Sequence, residues 1–232
     1  MDIGTGDGRF VYQSARSNPD RFYIGIDVER RALEKVSEKI HRRPERGGLR
    51  NVLFVEAPVE DLPREVDGSA DEIHIHFPWG SLLRSVAVGD ERVLAGLRRI
   101  AAPGAWLEVL IGLDDARDLG ELRRLGIPPL TEPYVASELI PRYARAGFEA
   151  FESGIIPSAG WPHLETTWAK RLRSGRGRRM LFLVARAPSA GSVKRVVRGP
   201  GGTRGREPPP RCGSRPRAWR RCGSRDASPC RG

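Results

Sequence analysis

Along the chain, short apolar runs alternate with segments in which apolar positions recur every three or four residues. This alternation predicts strands and helices. Short apolar runs bounded by Gly, Pro or acidic residues predict strands, and apolar positions three or four apart predict helices. The predicted strands span residues 22–27, 51–55, 70–77, 105–113, 148–156 and 179–185. The predicted helices span residues 9–16, 29–41, 91–100 and 136–146. This order is typical of an α/β protein with a mostly parallel sheet covered by helices on both faces.

Two features of this pattern depart from a regular alternation of strand and helix. Residues 114–135 show no clear period, so they predict an irregular connection. The last two strands, 148–156 and 179–185, follow each other without one of the four predicted helices between them.

A glycine-rich turn opens the chain as Asp2-Ile-Gly-Thr-Gly-Asp-Gly8, and the next strand ends on Asp27. Glycines allow a sharp turn and close approach of the backbone to a ligand, and an acid after the second strand can accept both ribose hydroxyls. The spacing differs from G-x-G-x-x-G, and Asp7 lies beside the loop, which favours S-adenosylmethionine over a dinucleotide. A tight turn in an unrelated α/β protein is the alternative. The predicted cofactor residues here are Asp2, Gly4, Thr5, Gly6 and Asp27.

The segments after the third and fourth strands also fall at the ligand-binding edge of the predicted sheet. Val59 and Glu60 follow the third strand, where they could recognise adenine or simply form a solvated loop. Phe77-Pro-Trp-Gly-Ser81 follows the fourth strand and places Trp79 at the rim of the cleft, unless that indole caps the core. We therefore add Phe77, Pro78 and Ser81 to the cofactor residues.

A second tryptophan, Trp168, precedes a concentrated run of cations. Cations contact phosphate, and an exposed indole stacks on an unpaired base. The alternative is a solvated basic helix with Trp168 buried. The cations of this run are Lys170, Arg171, Arg173, Arg176, Arg178 and Arg179.

Charge divides the chain into two parts. Residues 188–232 hold twelve of the 40 Lys and Arg but only two of the 29 acids, so residues 1–187 are nearly neutral although the whole chain carries +11. Fifteen of those last 45 residues are Gly or Pro, which predicts a disordered basic tail after a domain at 1–187. Cys212, Cys222 and Cys230 lie in this tail and match neither a zinc knuckle nor a disulfide framework.

Other classes of chemistry find little support in the sequence. His74 and His76 alternate on one strand face, but no acid or thiol partner is evident, so we expect no metal site. No serine or cysteine triad spacing stands out. No apolar run is long enough to span a membrane and no signal peptide is evident, so we expect a cytoplasmic monomer.

Five stretches together resemble the aminoglycoside-resistance 16S rRNA adenine-1408 N1-methyltransferases. The resemblance covers residues 2 to about 187, and it is most specific in Pro-Trp-Gly-Ser-Leu-Leu and Leu-Glu-Thr-Thr-Trp. The stretches are residues 2–8, 24–27, 47–53, 77–83 and 164–172.

The resemblance implies a class I, Rossmann-like, S-adenosylmethionine-dependent enzyme that acts on 16S rRNA in the 30S subunit. In such methyltransferases the last two strands, here 148–156 and 179–185, pair antiparallel at one edge of a mostly parallel sheet. The enzyme's target adenine would be flipped out and held between Trp79 and Trp168, with Thr166 shaping the pocket. Arg171 and Arg176 would contact rRNA phosphate. Lys170 and Arg173 are added to the RNA-binding residues from the concentration of charge in the same run.

The chain departs from the family at both ends. Members carry a hairpin and most of the first strand before the glycine loop, whereas only Met1 precedes Asp2 here. We therefore expect an N-terminally truncated fold from a misassigned start, with weaker folding or cofactor binding. Two other functions stay open: a tRNA (guanine-N7) methyltransferase, and a cofactor-binding, RNA-associated pseudoenzyme.

Overall fold

The computed structural model describes residues 1–114, 117–157 and 178–189. Seven strands form one sheet in the order β3-β2-β1-β4-β5-β7-β6. The strands are β1 (Asp2–Ile3), β2 (Tyr23–Asp27), β3 (Val52–Glu56), β4 (Ala70–His76), β5 (Ala101–Leu113), β6 (Glu149–Pro157) and β7 (Arg179–Arg186). The helices are α1 (Arg9–Ser17), α2 (Arg30–Ile40), α3 (Gly80–Val88), α4 (Glu91–Ile100), α5 (Leu119–Arg124), α6 (Glu132–Tyr134) and α7 (Ile140–Arg145).

The predicted α/β class and sheet are confirmed. Strands β1 to β5 pair in parallel, as the alternation of strands and helices requires. Strand β7 pairs antiparallel with both β5 and β6, which confirms the final hairpin at one edge of the sheet.

In the part of the chain that the structure describes, two apolar clusters hold the helices to the sheet. The larger contains Leu94, Leu97 and Ile100 of α4 with central strand residues such as Ile75 and Leu107, all of which are fully buried. The smaller joins α1, α2 and β3 through Val11, Tyr12, Val36, Ile40 and Val52. The buried positions of α4 follow the helical spacing of its sequence, and Asp90 caps the helix by accepting a hydrogen bond from the N–H of Val93.

Three parts of the predicted pattern were wrong in detail. Helix α3 was not predicted, because the Pro-Trp-Gly segment was interpreted only as a turn. Residues 114–135 include helix α5, and the helix predicted at 136–146 begins at Glu132 and passes through a π-helical turn, Val135–Leu139. Pro141 lacks the N–H that a regular helix would donate to residue 137, and this gives a physical reason for the wide turn.

Some predictions fall on residues that the structure does not describe. The tail at 188–232 is one, since only residues 188 and 189 of it are described. Among the described residues, every helix is too short or too polar to cross a membrane.

Candidate functional site

The site lies where the carboxyl ends of β1, β2 and β4 come side by side. Strand β1 is hydrogen-bonded between β2 and β4, so the segments that follow these three strands meet at one edge. The segments are the glycine loop at 4–8, Asp27 with Val28, and Phe77 to Trp79. Such an edge is where open α/β sheets bind their ligands.

Asp27 fixes the glycine loop from the end of β2. Its Oδ2 accepts a hydrogen bond from the N–H of Gly6 at 2.6 Å, and its Oδ1 accepts one from the N–H of Glu29 at 2.9 Å. The carbonyl of Ile26 accepts two more, from the N–H groups of Gly4 and Thr5. A carboxylate offers about four acceptor positions, so Asp27 keeps about two that its backbone partners do not use.

At position 4 of the loop, two separate features of the structure require glycine. Its φ of 74° lies in the left-handed region, and a Cβ there would lie 2.4 Å from Cδ2 of Leu82. At Gly6 the φ is 59°, but nothing lies within 4 Å of the place of a Cβ. The loop is therefore packed against α3 at Gly4 and leaves open space at Gly6, on the side where a ligand can approach.

A cleft of about 230 Å³ opens between these segments. Eight of the ten cofactor residues predicted from the sequence line it: Gly4, Gly6, Asp27, Val59, Glu60, Phe77, Pro78 and Ser81. Trp79 lines it as well. The sequence analysis missed six further lining residues, which are Ile3, Ile26, Val28, Ala57, Pro58 and Leu82.

Asp2 and Thr5 do not line the cleft. Both are buried, and Asp2 lies opposite His74 in the pairing of β1 with β4. Burial raises the pKa of the Asp2 carboxyl, and the charge of His76 partly opposes this rise. The structure thus places Asp2 under the loop, whereas the sequence placed it among the residues facing the cofactor.

Trp79 lies at the rim of the cleft with its side chain accessible. Its exposed fraction is 55%, so the alternative that it caps the core is wrong. The preceding Phe77 is buried and has a φ of 52°, the one left-handed value among the described non-glycine residues. Gly80 follows at a φ of 58° and begins α3. Left-handed residues on either side of Pro78-Trp79 turn the chain outward there.

The second half of the predicted site lies outside the described residues. It comprises Thr166, Trp168, Lys170, Arg171, Arg173 and Arg176. Of the two remaining cations in that run, Arg178 forms an ion pair with Asp114, with 3.4 Å between Nε and Oδ2. Arg179 begins β7.

A buried polar cluster was missed by the sequence analysis. Oε1 of Glu108 lies 2.6 Å from Nε2 of His76 and 3.4 Å from Nδ1 of His74. Burial opposes protonation of His74, but hydrogen bonds to Glu108 and Glu72 outweigh it and raise its pKa to about 9. Burial also opposes ionisation of Glu108, yet the two histidines hold its pKa below the usual range.

The expectation that these histidines have no acid partner was therefore wrong. Glu108 is 32 residues from His76 and lies on the neighbouring strand β5, opposite His74. Only the register between two strands brings these residues together, and the sequence does not give that register. None of the three residues lines the cleft, so none is placed to act on a ligand there.

Comparison with known proteins identifies a family over most of the chain. The family model NpmA, described as 16S rRNA (adenine(1408)-N(1))-methyltransferase, matches residues 1–187. A protein of that description from Streptoalloteichus tenebrarius is 37% identical over 179 residues, which are 77% of this chain and 81% of the relative.

Solved structures show the same similarity. The chain is 47% identical to the aminoglycoside resistance methyltransferase NpmB1, with a TM-score of 0.69 over 79% of this chain and 85% of that one. A 16S rRNA (adenine(1408)-N(1))-methyltransferase mutant from Catenulisporales acidiphilia, crystallised with cosubstrate SAM, is 34% identical, with a TM-score of 0.73. That match covers 82% of this chain and 85% of the solved one.

Proposed function

The chain belongs to the 16S rRNA (adenine(1408)-N(1))-methyltransferase family, and from this premise we propose that it methylates N1 of adenine 1408 in 16S rRNA. It is an S-adenosylmethionine-dependent enzyme, and its activity confers resistance to aminoglycosides that need this base unmodified. The two other functions considered from the sequence, tRNA guanine-N7 methylation and a pseudoenzyme, are not favoured by the family match.

The observation that carries the proposal is the position of one exposed indole beside a nucleoside-sized cleft. Trp79 is more than half exposed and lines the same cleft as Asp27 and the glycine loop. A solvent-exposed aromatic ring at such a rim can stack on a base that has left its helix. The cleft below it supplies the acceptors and apolar walls that a nucleoside needs.

The cleft fits S-adenosylmethionine in its chemistry. Asp27 has acceptor positions left for the two ribose hydroxyls, and Gly6 leaves open space beside the backbone. Apolar Val59 and polar Glu60 border the cleft beyond β3, where we place the adenine ring of the cofactor. When bound, the cofactor supplies a methyl group on a positively charged sulfur.

Methylation at N1 needs little acid–base catalysis from the protein. N1 of adenine is neutral at pH 7 and has its own lone pair. Formation of the bond from N1 to the methyl carbon, as the carbon–sulfur bond breaks and sulfur keeps its electron pair, would therefore need no strong general base. The described residues that line the cleft include no histidine, lysine or arginine, and this suits a reaction that depends on alignment. Trp79 contributes by holding the flipped base in line with the methyl group.

The rest of the base pocket and the rRNA contacts are assigned from the resemblance. We propose that Trp168 covers the other face of the adenine and that Thr166 shapes the pocket. Lys170, Arg171, Arg173 and Arg176 contact the phosphates of the rRNA. Stacking is worth about 1–3 kcal/mol per base, so two indoles can offset the few kcal/mol that base extrusion costs.

The assembled 30S subunit is the proposed substrate, and the enzyme works on it as a monomer in the cytoplasm. Transfer of a tritiated methyl group to purified 30S subunits, free 16S rRNA and tRNA tests this directly. We expect transfer to 30S subunits alone. Transfer to tRNA would favour the guanine-N7 alternative, and cofactor binding without transfer to any of the three would favour a pseudoenzyme.

A further inference from the structure

The cluster of His74, His76 and Glu108 lies outside the cleft and takes no part in the proposed reaction. One nitrogen of each imidazole and one oxygen of the carboxylate all lie within 4.8 Å of one another. No other group of three or more potential metal-binding side chains lies as close together in the residues that the structure describes.

The sheet itself holds these three side chains in place. His74 and His76 are two residues apart on β4, so they extend from the same face of the sheet. Glu108 lies directly opposite His74 on β5. Parallel strand pairing in the centre of the sheet therefore sets the arrangement, and no loop has to move to form it.

Burial leaves two polar atoms of the cluster without partners. The side chains of His76 and Glu108 are 2% and 1% exposed, and that of His74 is 13% exposed. Neither Oε2 of Glu108 nor Nδ1 of His76 has a hydrogen-bond partner among the described residues. A buried polar atom without a partner costs about 1–3 kcal/mol, and an ion bound by both oxygens of Glu108 would satisfy Oε2.

We propose that His74, His76 and Glu108 bind one divalent transition-metal ion of the zinc class. Two imidazole nitrogens and one carboxylate oxygen are donors that zinc accepts in a three-ligand site with an open fourth position. Magnesium and calcium prefer oxygen donors throughout, so this donor set disfavours them.

The two distances from Oε1 of Glu108 to the histidine nitrogens are close to those that such an ion needs, within a set that spans up to 4.8 Å. Two ligand atoms about 2.0–2.1 Å from a tetrahedral ion are about 3.3 Å apart. Nδ1 of His74 and Oε1 of Glu108 already lie 3.4 Å apart. Nε2 of His76 and Oε1 of Glu108 lie 2.6 Å apart, so this pair must open by less than 1 Å as the ion replaces the hydrogen bond between them.

Two neighbouring side chains bear on the site: one is an acid, and the other packs against both imidazoles. A divalent ion with one carboxylate keeps one positive charge, and the nearest further acid on β1 is the buried Asp2, which pairs with His74 across the strands. The ring of Phe10 packs edge-on against both imidazoles, with centroid distances of 5.4 and 4.8 Å. The ion would thus link β4 to β5 directly under α1 and the glycine loop, and its role is structural.

Titration of the full-length chain with Co²⁺ and Zn²⁺ tests the site. The cysteines are first replaced by Cys212→Ser, Cys222→Ser and Cys230→Ser, because thiolates in the tail would compete for the ion. We expect one ion per chain by calorimetry, visible absorption from tetrahedral Co²⁺, and a Tm raised by several degrees. His74→Gln and Glu108→Gln should each weaken binding at least tenfold.

The matched control is His41→Gln, which removes an exposed histidine at the end of α2 and should leave affinity unchanged. If Glu108→Gln does not fold by circular dichroism, the partly exposed His74→Gln decides the question. The proposal is overturned if the cysteine-free chain binds no stoichiometric ion. It is equally overturned if His74→Gln stays within twofold of the parent, or if His41→Gln loses binding to the same extent.

Discussion

The carboxylate of Asp27 accepts a hydrogen bond of 2.6 Å from the backbone N–H of Gly6, 21 residues earlier in the chain. This contact ties the end of β2 to the glycine loop. The group that we propose to hold the ribose therefore also fixes the loop that approaches the cofactor, and the two roles cannot be separated by removing the side chain.

Replacing the carboxylate by an amide should weaken the cofactor complex without unfolding the protein. Asp27→Asn keeps one acceptor oxygen but loses the charge that strengthens its hydrogen bonds. We expect about 10- to 100-fold weaker S-adenosylmethionine binding by calorimetry, which corresponds to about 1.4–2.8 kcal/mol. Asp71→Asn, on the exposed side of β4, is the control and should bind normally. Unchanged affinity in Asp27→Asn would remove Asp27 from the cofactor site.

Gly4 should be essential because of its neighbour as well as its backbone angle. Gly4→Ala puts a methyl group 2.4 Å from Leu82, whereas Gly68→Ala, at a similar φ of 63°, meets no atom within 4 Å. Both substitutions carry the cost of a left-handed alanine, about 1–2 kcal/mol of unfolding free energy. Only Gly4→Ala should also displace the loop and lose cofactor affinity. Urea melts and calorimetry on the pair separate the two effects; equal cofactor binding by both variants would contradict the packing argument.

Trp79→Ala should reduce methyl transfer to 30S subunits by about 5- to 150-fold, the equivalent of about 1–3 kcal/mol of lost stacking. S-adenosylmethionine affinity should stay within a few-fold, and the Tm should change little, because the indole is more than half exposed. Trp106→Phe is a matched control, since Trp106 packs against Phe151 on the hairpin edge of the sheet, far along β5 from the cleft. A normal rate in Trp79→Ala would show that this indole does not hold the base.

Trp168→Ala, like Trp79→Ala, should lower the rate of methyl transfer and leave S-adenosylmethionine affinity within a few-fold. The basis is the resemblance of residues 164–172 to the family, together with the need for a second ring on the other face of the base. Single-turnover methyl transfer and calorimetry measure the two quantities. Full turnover in a Trp79→Ala, Trp168→Ala double variant would rule out a tryptophan sandwich.

The cations after Trp168 should matter for the RNA and not for the cofactor. Arg171→Glu and Arg176→Glu should lower methylation of 30S subunits, most strongly at low salt, because each removes a phosphate contact and adds a repulsive charge, and salt screens both effects. Arg145→Glu, on the exposed end of α7, reverses the same charge outside that segment and serves as the control. If all three variants lose activity equally, the effect comes from net charge alone.

The sequence predicted most of the sheet and the ligand-binding edge, because local patterns determine both. Helix α4 follows from apolar spacing, and Gly4, Gly6 and Asp27 follow from a short motif. The pairing of the final hairpin was expected from the family resemblance. Helix α3 was missed because Pro78-Trp79-Gly80 was interpreted only as a turn, whereas the left-handed Gly80 is also the first residue of the helix.

The sequence could not predict contacts between strands that are far apart along the chain but adjacent in the sheet. The partner of His76 is Glu108, and only the register of β4 against β5 brings them together. Asp2 was placed at the cofactor because it belongs to the glycine motif, yet its side chain is buried toward the histidines. In both cases the direction of a side chain depends on packing between elements.

The position of the transferred methyl group tests the central claim most directly. Purified 30S subunits are incubated with the enzyme and S-adenosylmethionine, and their 16S rRNA is then examined by reverse transcription and by mass spectrometry of nuclease fragments. A methyl group on N1 blocks the pairing edge of adenine, so we predict one new stop beside adenine 1408 and a fragment heavier by a single methyl group. A methyl group at any other nucleotide, or unmodified 30S subunits beside methylated tRNA, would contradict the account.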